Sequence, residues 1–131
     1  MISKVLSKWK KGLLRNFSTY DITTEQWSLL TRLWQKYGIS QTQLAQRTSK
    51  DLPTITRILN KLEKKELVKR KSDPNDLRTS LIFLTEKGKD LEEKLNPIVE
   101  KLSNKGLENI KQEDIETLKR VLNNILINLD K

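Results

Sequence analysis

Residues 71–88 read KSDPNDLRTSLIFLTEKG and join a turn signal, an acid two places before an arginine, an apolar run and a helix start. Asp73, Pro74, Asn75 and Asp76 are turn formers that belong in water. Arg78, at the lip of that turn, cannot serve a core and must face outward. On the far side, SLIFL (80–84) is a strand-length apolar run, and LVKRK (67–71) matches it on the near side. The pair predicts a hairpin whose connection, SDPNDLRT (72–79), is longer than a tight turn and projects as a ribbon. Thr85 then opens a helix.

Upstream of the ribbon the chain reads as three short helices in a row. TTEQWSLLTRLWQKYG (23–38) begins with a capping box, Thr23 with Gln26, and closes at Gly38; Trp27, Leu30, Trp34 and Tyr37 are the expected core face. Ser40 with Gln43 opens QTQLAQRTS, and Asp51 opens LPTITRILNKLEKKE, where Pro53 is tolerated in the first turn. Short helices in this order outline a helix-turn-helix unit. In the third, Ile55, Ile58, Leu59 and Leu62 commit one face to the core. Thr54, Thr56, Arg57, Asn60, Lys61 and Lys64 are left on the other.

That polar face suits a helix lying in a DNA major groove, with short hydroxyls and Arg57 reaching base edges and lysines meeting phosphate. The positive end of the helix dipole adds to this. An adjacent ribbon lies where the neighbouring minor groove runs, so Arg78 at its tip can enter that groove. Asp76 is placed to hold the guanidinium in a bidentate pair, which orients it and adds little stability, below ~1 kcal/mol.

The bulk numbers agree with a polyanion partner. The chain has 131 residues, is 35% hydrophobic and carries a net charge of +9. Residues 1–20 hold five basic and no acidic residues, and 41–80 hold ten basic against five acidic. A basic patch of this kind is the electrostatic footprint of nucleic-acid binding. The lean apolar fraction leaves room for a second chain to complete the core. Cysteine and histidine are both absent, which removes disulfides, thiol chemistry, Cys or His nucleophiles and nearly every zinc site, so no metal or cofactor is expected. Carboxylate pairs such as Glu92–Glu93 and Glu113–Asp114 point apart on a helix and read as solvated charge, so the chain is not expected to be an enzyme.

The two ends are helical. Ile2, Val5, Leu6, Trp9, Leu13 and Phe17 recur at helical spacing in a basic amphipathic opening segment, read as a packing helix in preference to a membrane-surface one. No run approaches the roughly 18 apolar residues of a membrane span, and the expected location is cytoplasmic. After Thr85 a stripe of Leu91, Leu95, Ile98, Val99 and Leu102 defines a long helix that Pro97 should bend or break. Ile115, Leu118, Leu122, Ile125, Leu126 and Leu129 form a near-heptad row too apolar for a lone surface helix, which calls for a partner helix from this chain or another copy.

DLRTSLIFLTEKG, with Asp76, Arg78, Leu84, Thr85 and Gly88 at their spacing, resembles the D-x-R-x5-L-T-x2-G signature of the MarR family of bacterial winged helix-turn-helix regulators. The segment from Gln41 to Arg70 is similar to that family's helix-turn-helix running into the first wing strand. The resemblance implies a mainly α fold with a small β-hairpin wing, divided into an N-terminal dimerisation helix (1–22), a winged helix-turn-helix DNA-binding domain (23–84) and C-terminal dimerisation helices (85–131). It implies a homodimeric, sequence-specific regulator of double-stranded DNA, a repressor released by a small-molecule effector. The recognition helix maps to 52–65, the DNA-binding residues to Thr54, Thr56, Arg57, Lys61 and Arg78, and the wing-orienting acid to Asp76. Effector-cleft candidates are Phe17, Tyr20, Trp27 and Trp34. Glu66 departs from the pattern, since many members carry glycine there, and a left-handed Glu66 costs about 1 kcal/mol. The competing expectation is a helical protein-interaction module without specific DNA binding, its basic charge serving solubility.

Overall fold

The computed structural model describes residues 1–131. The elements run α1 (Ile2–Phe17), a 3-10 turn (Ser18–Tyr20), α2 (Thr24–Gln35), β1 (Ile39–Ser40), α3 (Gln41–Thr48), α4 (Leu52–Lys64), β2 (Val68–Asp73), β3 (Asp76–Leu84), α5 (Glu86–Gly106) and α6 (Gln112–Leu129). They divide into two compact units, Met1–Val99 and Glu100–Lys131. That division falls inside α5.

Caps fix where the helices begin. Thr23 and Ser40 each accept from the amide three residues on, and Gln26 and Gln43 return the bond, so both capping boxes form. Asp51 Oδ1 accepts from the Thr54 amide at 2.8 Å. Between α3 and α4 the chain turns through Ser49, whose φ of 56° is left-handed, and Asp51 then starts the next helix. This is the tight junction of a helix-turn-helix.

The core of the first unit is aliphatic. Leu29, Leu30 and Leu33 of α2, Leu44 of α3, and Ile55, Ile58, Leu59 and Leu62 of α4 are buried together with Phe17, Ile82 and Leu95. In α2 the leucines, with Gln26, form the buried face. Trp27 and Trp34 are half-buried and Tyr37 lies beyond the helix, exposed. The aromatic face expected from spacing is therefore displaced to the border of the core, where Trp34 Nε1 donates to the Gly88 carbonyl at 2.9 Å and Trp27 Nε1 is buried without a partner.

Three antiparallel strands stand in the order β1-β3-β2. The two-residue β1 pairs Ile39 with Ile82 and Ser40 with Leu81, and was too short to show as a strand in the sequence. The hairpin is also tighter than expected. Strands continue to Asp73 and Asp76, which pair across a turn containing only Pro74 and Asn75, with an irregularity at Ser72/Asp73. The Asp73 carboxylate accepts from the Asn75 amide at 2.9 Å, supplying the local bond that lets so short a turn close.

The end of α4 and the start of α5 meet at one knot. Glu66 has φ 62°, its amide donates to the Glu63 carbonyl at 2.9 Å, and the Leu67 amide donates to Leu62 at 3.0 Å. These are the two bonds of a Schellman motif, with Leu62 and Leu67 both buried beneath it. A non-glycine left-handed residue is thus held by satisfied carbonyls. The Thr85 amide donates to Leu67 O at 3.1 Å, and its hydroxyl bonds the Glu66 carbonyl at 2.6 Å and caps Gly88 N at 3.0 Å. Gly88 leaves no room here, since a Cβ would overlap the Leu67 carbonyl oxygen. The Leu-Thr-x-x-Gly pattern is the sequence form of this contact.

Helix α5 runs unbroken past Pro97, so the expected break does not occur. Gly88, Leu91 and Leu95 are its buried residues. In the second unit the chain turns at Asn109, φ 63°, into α6, none of whose residues is buried. Leu118, Val121, Leu122, Ile125, Leu126 and Leu129 remain exposed. On α1, Ile2, Val5, Leu6 and Leu14 are likewise exposed. No helix is long and apolar enough to cross a membrane.

Replacing Gly88 by alanine drives a methyl group into backbone that cannot retreat, and should destabilise the protein by about 2–3 kcal/mol in urea unfolding. Glu66→Gly should act in the opposite sense, raising stability by about 1 kcal/mol, because it removes the left-handed penalty without disturbing the Schellman bonds.

Candidate nucleic-acid interface

Helix α4 presents the polar face read from the sequence. Thr54 and Thr56 are half-buried, and Arg57, Asn60, Lys61 and Lys64 are exposed. Asp51 at its N-terminus is held below the ordinary carboxyl range, first by hydrogen bonding from the Thr54 side chain, then by the Thr54 amide, with the Arg57 charge adding a smaller pull. An ionised cap therefore stands beside the positive end of the helix.

Four of the polar side chains on α4 are already engaged by neighbours. Gln41 Nε2, at the start of α3, donates to the Thr56 hydroxyl at 2.9 Å. Arg57 Nη2 donates to both carboxylate oxygens of Glu25 in α2, at 3.4 and 3.2 Å. Asn60 Oδ1 accepts from Arg70 Nη2 at 3.0 Å, while Arg70 Nη1 meets Glu63 at 3.3 Å. Arg70 stands in β2, so its fork ties the wing to α4 across two points. Its Nε is buried without a partner. Gln41, Glu25 and Arg70 were not singled out in the sequence, because their partners lie 15, 32 and 7 or 10 residues away and no local pattern records such pairs.

The wing tip carries Arg78 with its side chain 97% exposed. The bidentate pair with Asp76 is not formed. Asp76 Oδ1 accepts from the Arg78 amide at 3.1 Å and Oδ2 from the Thr79 hydroxyl at 3.1 Å, leaving only an approach of 3.8 Å to Arg78 Nε. A short carboxylate two residues ahead of the arginine reaches its backbone before its guanidinium. Asp76 thus shapes the tip, and the guanidinium stays free to swing. Ser40, Gln41, Thr42, Arg78, Thr79 and Ser80 line a shallow polar recess of about 250 Å³ between the α3 N-terminus and the wing. The site accordingly consists of hydroxyls, amides and cations on one helix and one hairpin, with no cluster of acidic side chains able to hold a metal ion.

The effector-cleft candidates separate. Phe17 is fully buried, its ring 5.7 Å from that of Trp27, and Trp34 is bonded to Gly88. Tyr20 lines a cleft of about 390 Å³ with Lys64, Lys65, Lys87 and Lys94 and with the carboxylates Asp21 and Glu66. Lys65 there is held by the Asp21 carbonyl and by Gln26 Oε1 at 2.9 Å.

Residues 22–80 match the model of the MarR family. YdgJ of Bacillus subtilis, described as an uncharacterized HTH-type transcriptional regulator, is 33% identical over 108 residues, which cover 79% of this chain and 66% of that protein. Among solved structures, the S. aureus MepR–DNA complex superposes with a TM-score of 0.89 at 27% identity, over 97% of this chain and 94% of that one. A mutant of E. coli MarR complexed with operator DNA gives a TM-score of 0.89 at 30% identity, over 95% of this chain and 90% of the other. The likeness to these structures extends over nearly the whole chain as a winged-helix fold, and the chain belongs to the MarR family.

Proposed function

We propose that this chain is a sequence-specific regulator of transcription that binds double-stranded DNA as a homodimer, acts as a repressor and works in the cytoplasm. The observation that carries the reading is the uncovered polar face of α4 standing beside a hairpin that ends in a free arginine. MepR and MarR, to which the chain is similar, form complexes with DNA.

Thr54, Thr56 and Arg57 lie in the half of α4 that enters a major groove first, where a good bidentate base contact discriminates by about 1–3 kcal/mol. Lys61 lies one turn further along and meets phosphate. Arg78 on the wing enters the minor groove, which attracts guanidinium most where it is narrow. Asp76 sets the shape of the tip that carries it. Dimerisation is supported by the exposed apolar rows of α1 and α6, larger than an isolated protomer normally leaves in water. A twofold dimer then requires a roughly palindromic site with half-sites about one helical turn apart. Residues 1–22 and 85–131 supply the dimerisation helices in this reading, and 23–84 the DNA-binding part.

Release by a small molecule is the regulatory half of the proposal. A ligand that binds better to a form with its recognition helices wrongly spaced lowers DNA affinity by that difference alone. The cleft beside Tyr20, with its lysines, is the place in the first unit that suits an organic anion.

Selection of duplexes from a random library with the purified protein should return a palindromic motif, and sedimentation should show a dimer at micromolar concentration. Recovery of no motif by a monomeric protein would sink the reading. Arg78→Ala should weaken binding to the selected duplex by about tenfold or more while the dimer stays folded, as followed by anisotropy titration. Arg57→Ala should relax the selected motif at one position more than it changes the salt dependence, which a repeat selection and a salt series would measure.

A further inference from the structure

Resting on the DNA-reading assignment above, we propose that Glu25 is a specificity-determining positioning residue: it aims the Arg57 guanidinium and cancels its charge toward phosphate. Arg57 then contributes directional hydrogen bonds to a base edge and little indiscriminate backbone attraction.

The geometry is selective. Both Glu25 oxygens approach a single nitrogen, Nη2, at 3.2 and 3.4 Å. Nε and Nη1 keep their hydrogens for an outside acceptor. A guanidinium gripped at one corner is fixed in direction yet still offers a hydrogen-bonding edge, which is what bidentate recognition of a purine requires. Without the grip, a long arginine on an exposed helix face samples many rotamers and loses that freedom on binding.

The pair is built from two elements that are separately anchored. Glu25 lies in the first turn of α2, and that turn is fixed by the Thr23–Gln26 capping box. Arg57 leaves α4 opposite the buried Ile55, Ile58 and Leu59. The side chains remain 49% and 47% exposed, so the pair sits at the surface that DNA would approach and adds little to folding. Its place is better explained by what it does to an incoming polyanion.

A carboxylate at this position has two opposed effects on DNA. Toward any phosphate, Arg57 and Glu25 together carry no net charge, so the pair releases no counterion. Toward a correctly placed base, the hydrogens on Nε and Nη1 act directionally at hydrogen-bond range, on the corner of the guanidinium that Glu25 leaves free. The balance lowers binding to arbitrary sequence while sparing binding to the right one, and specificity is that difference. Thr56 is likewise tied to a neighbouring helix, its hydroxyl oxygen accepting from Gln41.

The test uses the full chain and two duplexes, the selected operator and a scrambled version, in anisotropy titrations over a salt series. Glu25→Gln should tighten binding to the scrambled duplex by about three- to tenfold and steepen the logarithmic salt slope by about one unit. The preference for operator over scramble should fall by about tenfold. Glu25→Asp keeps the charge and shortens the reach. It should leave the slope near wild type while the preference falls. In an Arg57→Ala background, Glu25→Gln should shift both affinities together and leave their ratio unchanged. An operator preference within twofold of wild type in both Glu25 variants overturns the proposal, as does an equal loss of preference in the Arg57→Ala background. A wild type that fails to discriminate the two duplexes overturns instead the DNA-reading assignment on which this rests. Thermal melting of each variant, expected within a few degrees of wild type for so exposed a pair, separates a binding effect from unfolding.

Discussion

The close approach of the first turn of α5 to the backbone at Leu67 is the contact on which the rest of the first unit depends. It is possible only because residue 88 has no side chain. Through it the C-terminus of α4, the base of the wing and the start of α5 share one set of hydrogen bonds, with Thr85 serving two of them by its hydroxyl. Trp34 adds a fourth element by donating to the Gly88 carbonyl. The polar groups at this crossing are matched to one another at close range, so a shift of any one leaves a partner unsatisfied, at about 1–3 kcal/mol per buried group. Rigidity at this point is what allows α4 and the wing to be presented as one object.

Much of that object was legible in the sequence, and the reason is local chemistry. Capping boxes at Thr23/Gln26 and Ser40/Gln43 close within four residues, so helix starts could be placed before any packing was known. The aliphatic stripe of α4 follows a 3.6-residue period and is buried as read. What failed depended on neighbours. Spacing cannot say whether Trp27 or Leu29 faces the core of α2, because both lie near the edge of the apolar arc and the choice rests on volume available opposite. The hairpin was read as loose because Asp73 and Asp76 look like loop residues, yet they pair across it. Pro97 was read as a bend or a break, and the break does not occur: α5 runs through it, a helix long enough on both sides to absorb one missing amide bond.

The candidate site shows the same division more sharply. Residue types on the outer face of α4 and at the wing tip were visible as a pattern, since they are what remains once the core positions are assigned. Their partners were invisible. Asn60 does face outward, as read, but the bond that Arg70 makes to it from β2 left no sign in the sequence. Asp76 was assigned to the guanidinium of Arg78 and instead serves its amide and Thr79. Side chains brought together by folding leave no periodic trace, and these are the ones that decide which atoms stay available.

That availability distinguishes the two arginines. Arg78 is almost entirely exposed, its guanidinium approached only by Asp76 at 3.8 Å, so it brings a full positive charge on a mobile stem. Arg57 is gripped at one nitrogen by the carboxylate of Glu25. A mobile, uncompensated cation gains most from a region of strong negative potential, which it can enter without exact registration; the narrow minor groove is such a region. A compensated, directed cation gains little from potential and much from a matching pair of acceptors, which only the major groove offers with full base discrimination. The carboxylates around α4 therefore do not weaken the case for DNA drawn from the net charge of +9. In the proposed reading they divide labour, leaving general attraction to the wing and to lysines such as Lys61, and keeping the N-terminal half of α4 for reading sequence.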